Sequence, residues 1–347
     1  MNASYEKISK INKSYIKSSI WVITISALLV ATMLIAMGVG RYSITIVDII
    51  NSLLPESLSF IDIDPNIKTV IYNIRLPRVL IAALAGSGLA VSGAAFQSLF
   101  SNPLATPDTL GVATGASFGA ALGIILGFDS IGIQSCAFIV GIACVGLVYF
   151  ISKVKGERSM VMIILAGMVI SSLFQAMVSL LKYTADPQDT LPQITFWLMG
   201  SLSGVGFEEL MLGSPFIIIG IIIIFLLRWK MNMLSLHEDE SKSLGINLKV
   251  VRLFTIMSAA LITASVVSIC GNVGWVGLLI PHISRMIFGN NNKSVIPASI
   301  GFGAIFMIVI DTIARSATAA EIPISILTAV IGAPFFIILL RKTGGIH

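Results

Sequence analysis

Charge is scarce in this sequence: 22 Lys and Arg with 17 Asp and Glu make up 11% of its 347 residues. A soluble domain carries about 25%, so the chain cannot cover itself with a wetted surface, and a soluble fold is excluded. Only three histidines are present, His237, His282 and His347, and there is no HExxH or GxSxG. Neither a metalloprotease helix nor a nucleophile elbow can be built from that set. Cys136, Cys144 and Cys270 all fall in apolar runs without CxxC spacing, which argues against a disulfide framework or a metal site. No Gly-Lys-Ser or Gly-Lys-Thr occurs, so the chain has no phosphate loop with which to hold ATP.

What abounds is apolar sequence, 56% of the chain. Long runs recur at 19–39, 78–98, 110–127, 131–151, 160–181, 213–229, 251–270, 273–288, 295–313 and 323–340. A span takes roughly 20 apolar residues, so the pattern predicts an all-α polytopic membrane protein of about ten transmembrane helices, a single transmembrane domain over 1–347. The first run follows Lys7, Lys10, Lys13 and Lys17 and lacks a small-residue cleavage site, so it reads as an uncleaved span behind a cytoplasmic segment, 1–18. The Gly-rich runs at 110–127 and 273–288 are short, and such segments are tolerated only where protein or a cavity shields the backbone.

With the N-terminus inside, roughly 16 of the 22 basic residues fall on the cytoplasmic side, as the positive-inside bias requires. An even number of spans brings the C-terminus back to the same side. The net charge of +5 is then explained by the loops, and no nucleic-acid partner is expected. Two polar stretches interrupt the pattern. Residues 183–193 lead into 194–206, too short to span and read as a re-entrant or surface helix. Residues 234–245, LSLHEDESKSLG, are the most charged run in the chain and are open to two readings, a solvated loop or a docking segment.

Ionisable residues in or beside spans are few: Arg75 and Arg78 before the second run, and Asp311, Arg315 and Glu321 around the last connection. Such residues are expensive in a membrane and often functional, although arginines at an interface also serve as snorkelling anchors. A carrier driven by an ion gradient would need a buried acid in mid-span, and none is evident.

The segments RLPRVLIAALAGSGLAVSGAAFQSLFSNPLATPDTLGVATGASFGA (75–120), GNVGWVGLLIPHISRMIFG (271–289) and DTIARSATAAEIPISILTAVIGAPFF (311–336) together resemble the FecCD family, permease subunits of ABC importers for iron–siderophores, haem and vitamin B12. The resemblance implies a chain that binds no cofactor itself, with ATP and Mg on partner ATPase subunits. It further implies an extracytoplasmic substrate-binding protein, a second permease copy or paralogue, and residence in the cytoplasmic membrane among lipid. The cargo it implies first is an iron(III)–siderophore, with haem or cobalamin as alternatives; an ion-driven secondary transporter is the rival from another class.

By the same resemblance, Arg75, Arg78 and Arg315 match arginines that meet acidic residues of the binding protein. The run 234–246 matches the cytoplasmic coupling helices, with Leu234, Leu236, His237, Glu238, Asp239, Glu240, Leu244 and Gly245 placed toward the ATPase. His237 and Ser241 depart from the usual Gly and Ala, and Asn291, Asn292 and Lys293 replace a common Asp-His-Arg. Asn102, Pro103, Trp275, Gly277 and His282 fall where the family's pathway or gate passes.

Overall fold

The computed structural model describes residues 2–40, 42, 44–55, 64–153, 159–234 and 245–343. Among them the regular structure is entirely helical. The helices are α1 (Asn2–Gly38), α2 (Ile46–Leu53), α3 (Pro65–Thr69), α4 (Leu76–Leu99), α5 (Val112–Ile125), α6 (Ser130–Ile151), α7 (Met160–Thr184), α8 (Thr190–Met199), α9 (Phe207–Leu227), α10 (Leu248–Cys270), α11 (Val276–Phe288), α12 (Asn292–Ser316) and α13 (Ile324–Thr343). Each of the ten apolar runs forms one of them. Among the described residues seven helical segments are long and apolar enough to cross a membrane, while 112–125, 276–288 and 324–338 are shorter apolar helices.

Two helices form the centre. The spanning stretch of α4 is 83% buried and that of α10 is 78% buried, against 11% for α1. Around α4 pack α12, α11, α9 and α1, and α10 joins α4 to the α5–α6 pair. In lipid the hydrophobic effect does not drive helices together, so close approach of small residues must. Gly86 lies so near α12 that a β-carbon there would sit 2.1 Å from the Gly303 carbonyl oxygen, and one on Gly93 would sit 1.8 Å from that of Gly277. Hydroxyls add bonds across the same seams: Ser87 Oγ donates to Ile300 O at 2.9 Å and Ser92 Oγ to Ala259 O at 3.3 Å. The peripheral helices expose apolar side chains such as Ile139, Val169, Leu226 and Val330, a surface suited to lipid or another subunit.

Three segments differ from the sequence reading. The second span begins well before 78: Pro65 opens α3, and a π-helical turn over Val70–Arg75 continues it into α4. Arg75, the last residue of that turn, is 5% exposed, in keeping with the placement of π-bulges at special sites. Secondly, the short helix after residue 183 is α8, starting at Thr190. Pro192 lies in its first turn, where a missing N–H costs nothing, and Ile194 is fully buried. Thirdly, α2 is a short amphipathic helix between α1 and α3. Thr45 and Asp48 form its capping box, and the two Thr45 donors hold the Asp48 carboxyl below its ordinary pKa. Ile46, Val47, Ile50 and Leu53 face outward, the pattern of a helix lying in a membrane interface.

Candidate functional site

The scarce charges of α4 and α12 meet at one end of the bundle. Arg78 is 8% exposed and Asp311 is 1% exposed. The Arg78 guanidinium is gripped on two edges: Nε and Nη2 donate to Asp311 Oδ1 at 3.0 and 2.9 Å, while Nη1 and Nη2 donate to Glu321 Oε1 and Oε2 at 2.9 and 2.8 Å. This is fork-on-fork geometry, the strongest form of side-chain ion pair. Asp311 also lies 3.6 Å from Arg315 Nε. The acid of α12, Asp311, is buried near the end of the helix and not in mid-span, and it is committed to arginines.

Arg75 and Arg315 complete the cluster by a different route. Arg75 donates to the carbonyls of Met37, Gly38 and Tyr42, and Arg315 to those of Ala36 and Val39, the latter at 2.6 Å. The carbonyls of Ala36, Met37 and Gly38 are in the last turn of α1, the negative end of its dipole, and those of Val39 and Tyr42 follow it. Gly40 sits between the two guanidinium groups, with φ +156 and a notional β-carbon 2.9 Å from Arg75 and 3.1 Å from Arg315. All three arginines singled out from the sequence are thus together, and each is bonded within the chain.

About 36 Å away, the length of the 24-residue α4 at 1.5 Å per residue, the chain leaves α4 through Ser101 (φ +48) and Asn102 and Pro103. These residues border a cavity of about 420 Å³ with Arg285 and Asn292. Trp275 and Gly277 line a different one, about 250 Å³, between α4, α5 and α10. Its polar lining is Thr106, Asp108, Thr263 and Asn272. Trp275 has φ +67, rare for a bulky residue, and its ring packs over Gly332 of α13, where a β-carbon would come within 3.0 Å of it. His282 borders neither cavity; its ring stands edge-on to Phe336 at 6.2 Å, and its Nε2 is buried without a hydrogen bond.

Of the coupling run, Leu234 and Gly245 are described, whereas Leu236, His237, Glu238, Asp239, Glu240 and Leu244 lie outside the described residues. Leu234 is 4% exposed and packs into this chain's own core. Asp108, Thr263 and Asn272 escaped the sequence reading. Asp108 was within view, directly after the NPLATP run, but only the fold turns it toward a cavity.

The FecCD transport family model matches residues 28–342. The chain belongs to the FecCD transport family. It is 43% identical over 319 residues to the molybdate import system permease protein of Haemophilus influenzae, covering 92% of this chain and 94% of that one. It is 37% identical over 281 residues to an iron chelatin transport system permease protein of Helicobacter pylori, covering 81% and 85%. A solved metal-chelate-type ABC transporter in an inward-facing conformation superimposes with a TM-score of 0.83 at 42% identity, covering 92% of this chain and 98% of that one. This FecCD chain is accordingly a permease of an ABC importer, a transport component that resides in the cytoplasmic membrane as a multi-pass protein. The family implies ATPase and substrate-binding partners and a dimeric arrangement.

Proposed function

We propose that the protein is the permease of a binding-protein-dependent ABC importer that carries an iron(III)–siderophore complex by ATP-driven alternating access. It binds no cofactor; ATP and Mg are held by partner ATPases that dock on residues 234–246. Two permease copies or paralogues enclose the path, with N- and C-termini on the ATPase side. The observation that carries the reading is the family match over residues 28–342, joined to a bundle whose α12 acid is locked in ion pairs. Relatives for iron chelatin support the cargo. A second cargo, molybdate, is favoured by the 43% identical relative.

The end of the bundle that bears Arg75, Arg78 and Arg315 is the face for the substrate-binding protein in this account. Three arginines against Asp311 and Glu321 leave one positive charge in excess, and acidic side chains of a partner would compete for donors now spent on α1 carbonyls. The Trp275–Gly277 cavity, with Asp108, is a segment of the path, and Asn102 and Pro103 shape its far end. His282 is a packing residue beside it.

The experiment is uptake into proteoliposomes containing the permease, its ATPase and its binding protein, supplied with labelled iron(III)–siderophore or labelled molybdate. ATP-dependent accumulation of the iron complex is expected. Accumulation of molybdate alone would replace the cargo, and accumulation of either without nucleotide would overturn the importer reading.

A further inference from the structure

The cavity bordered by Asn102 and Pro103 has chemistry opposite to that of the ion-pair cluster. It lies where α4 ends, α11 ends and α12 begins, beside the turn Lys230–Met233 from which residues 235–244 depart. Among the described residues one cation lines it, Arg285, and no acid. Arg285 is in ion-pair reach of no carboxylate among the described residues. Among the described residues it donates to neutral acceptors, three of them beyond the ordinary N–H···O range: Nε to Gln97 Oε1 at 3.4 Å, Nη2 to Ala94 O at 3.4 Å and Ser98 Oγ at 3.2 Å, and Nη1 to Asn290 O at 3.5 Å. Charge-assisted bonds to an anion run nearer 2.7–2.9 Å, so an oxyanion entering the cavity would be the better acceptor.

The neighbours are donors. Asn292 is 3% exposed; its Oδ1 accepts from Ser98 Oγ at 3.0 Å and its backbone N–H donates to Asn232 Oδ1 at 2.9 Å, leaving Nδ2 unspent. Asn102 Oδ1 accepts from the Leu104 N–H at 2.9 Å, so its Nδ2 is likewise available. The cavity lies at the N-terminus of α12, whose dipole favours negative charge, and at the C-termini of α4 and α11, whose dipoles oppose it, so the charge that draws an anion is that of Arg285. Its volume of about 420 Å³ holds a tetrahedral oxyanion with part of its hydration shell.

We propose that this cavity is a binding site for a tetrahedral oxyanion, with Arg285 as the charge partner and the side-chain amides of Asn292 and Asn102 as donors. Molybdate, inorganic phosphate and a lipid phosphate headgroup share that chemistry. The site stands on its own lining and does not depend on which cargo the importer carries.

Equilibrium dialysis of the full-length permease in phospholipid-free maltoside micelles, against labelled molybdate and against labelled phosphate, tests it. Saturable binding of at least one is expected, weakened about tenfold or more by Arg285→Gln, since a hydrogen bond to a charged group contributes that much. Should Arg285→Gln fail to fold, Asn292→Asp places a carboxylate in the lining and is expected to weaken binding as far. Preference for molybdate would make the site a stop for cargo, equal binding of phosphate a cytosolic anion site, and loss of binding on adding phosphatidylglycerol a headgroup site; each supports the oxyanion assignment. No saturable binding of either anion, or binding that neither folded variant weakens, would overturn it.

Discussion

Removing Asp311 breaks the one point where α4, α12 and the last connection share a charge. The side chain is 2% exposed and accepts from Arg78 at 2.9 and 3.0 Å. Breaking a buried pair by deleting one partner costs about 3–5 kcal/mol, because the other charge is left uncompensated. Here Glu321 still holds Arg78 at 2.8 Å, so Asp311→Leu should fall near the lower end, about 3 kcal/mol. Arg78→Met should cost more, since it leaves Asp311 facing Glu321 with only Arg315 nearby. Replacing both partners with apolar side chains of similar volume is close to neutral in other buried pairs, so Arg78→Met with Asp311→Leu should recover to within about 2 kcal/mol of the wild type, the remainder being the loss of the Arg78–Glu321 bonds. Reversible unfolding in mixed detergent micelles, read by tryptophan fluorescence, gives the three values and their coupling. A single Asp311→Leu cost below about 1 kcal/mol, or a double variant as unstable as the sum of the singles, would refute the claim that the cluster is a buried, mutually dependent network.

Other consequences are simpler to state. Gly93→Ala puts a methyl 1.8 Å from the Gly277 carbonyl oxygen, so α4 and α11 must part; the same unfolding assay should show a loss of about 1–3 kcal/mol. Arg75→Gln with Arg315→Gln strips the donors from the α1 C-terminus, so amide hydrogen exchange of residues 38–42 should rise and co-purification of the binding protein should fall, with ATPase association unchanged. That pair is preferable to charge reversal at Arg78, which would set three carboxylates together. Glu238→Lys with Glu240→Lys should abolish co-purification of the ATPase while leaving the unfolding transition in place.

The helices were legible because membrane spans are long, uninterrupted apolar runs, a signal that survives in one sequence. Their partners were not. Arg78 and Asp311 are separated by 233 positions, and nothing in local pattern tells a buried ion pair from two interfacial anchors. That Arg75 and Arg315 bond to carbonyls near the end of α1 was not legible, because those carbonyls lie more than 30 positions away in the chain. The start of α8 was missed because Pro192 reads as a breaker, yet proline is harmless in a first turn. Arg285 was counted only among the basic residues that set orientation, since the neutral acceptors around it come from α4 and from the 290–292 turn. Small residues of α4 were a fair guide: Gly86 and Gly93 meet the backbones of Gly303 and Gly277, as close packing in lipid demands.

The most direct test of the central claim is uptake with purified components under two energy sources. Proteoliposomes holding the permease and its ATPase, with the loaded binding protein outside and ATP inside, should accumulate the labelled cargo, and omission of ATP, ATPase or binding protein should each reduce accumulation to that of empty vesicles. Accumulation by the permease alone under a proton or sodium gradient, at a rate that Asp108→Asn abolishes, would contradict the account and make the cavity acid the coupling group of a secondary carrier.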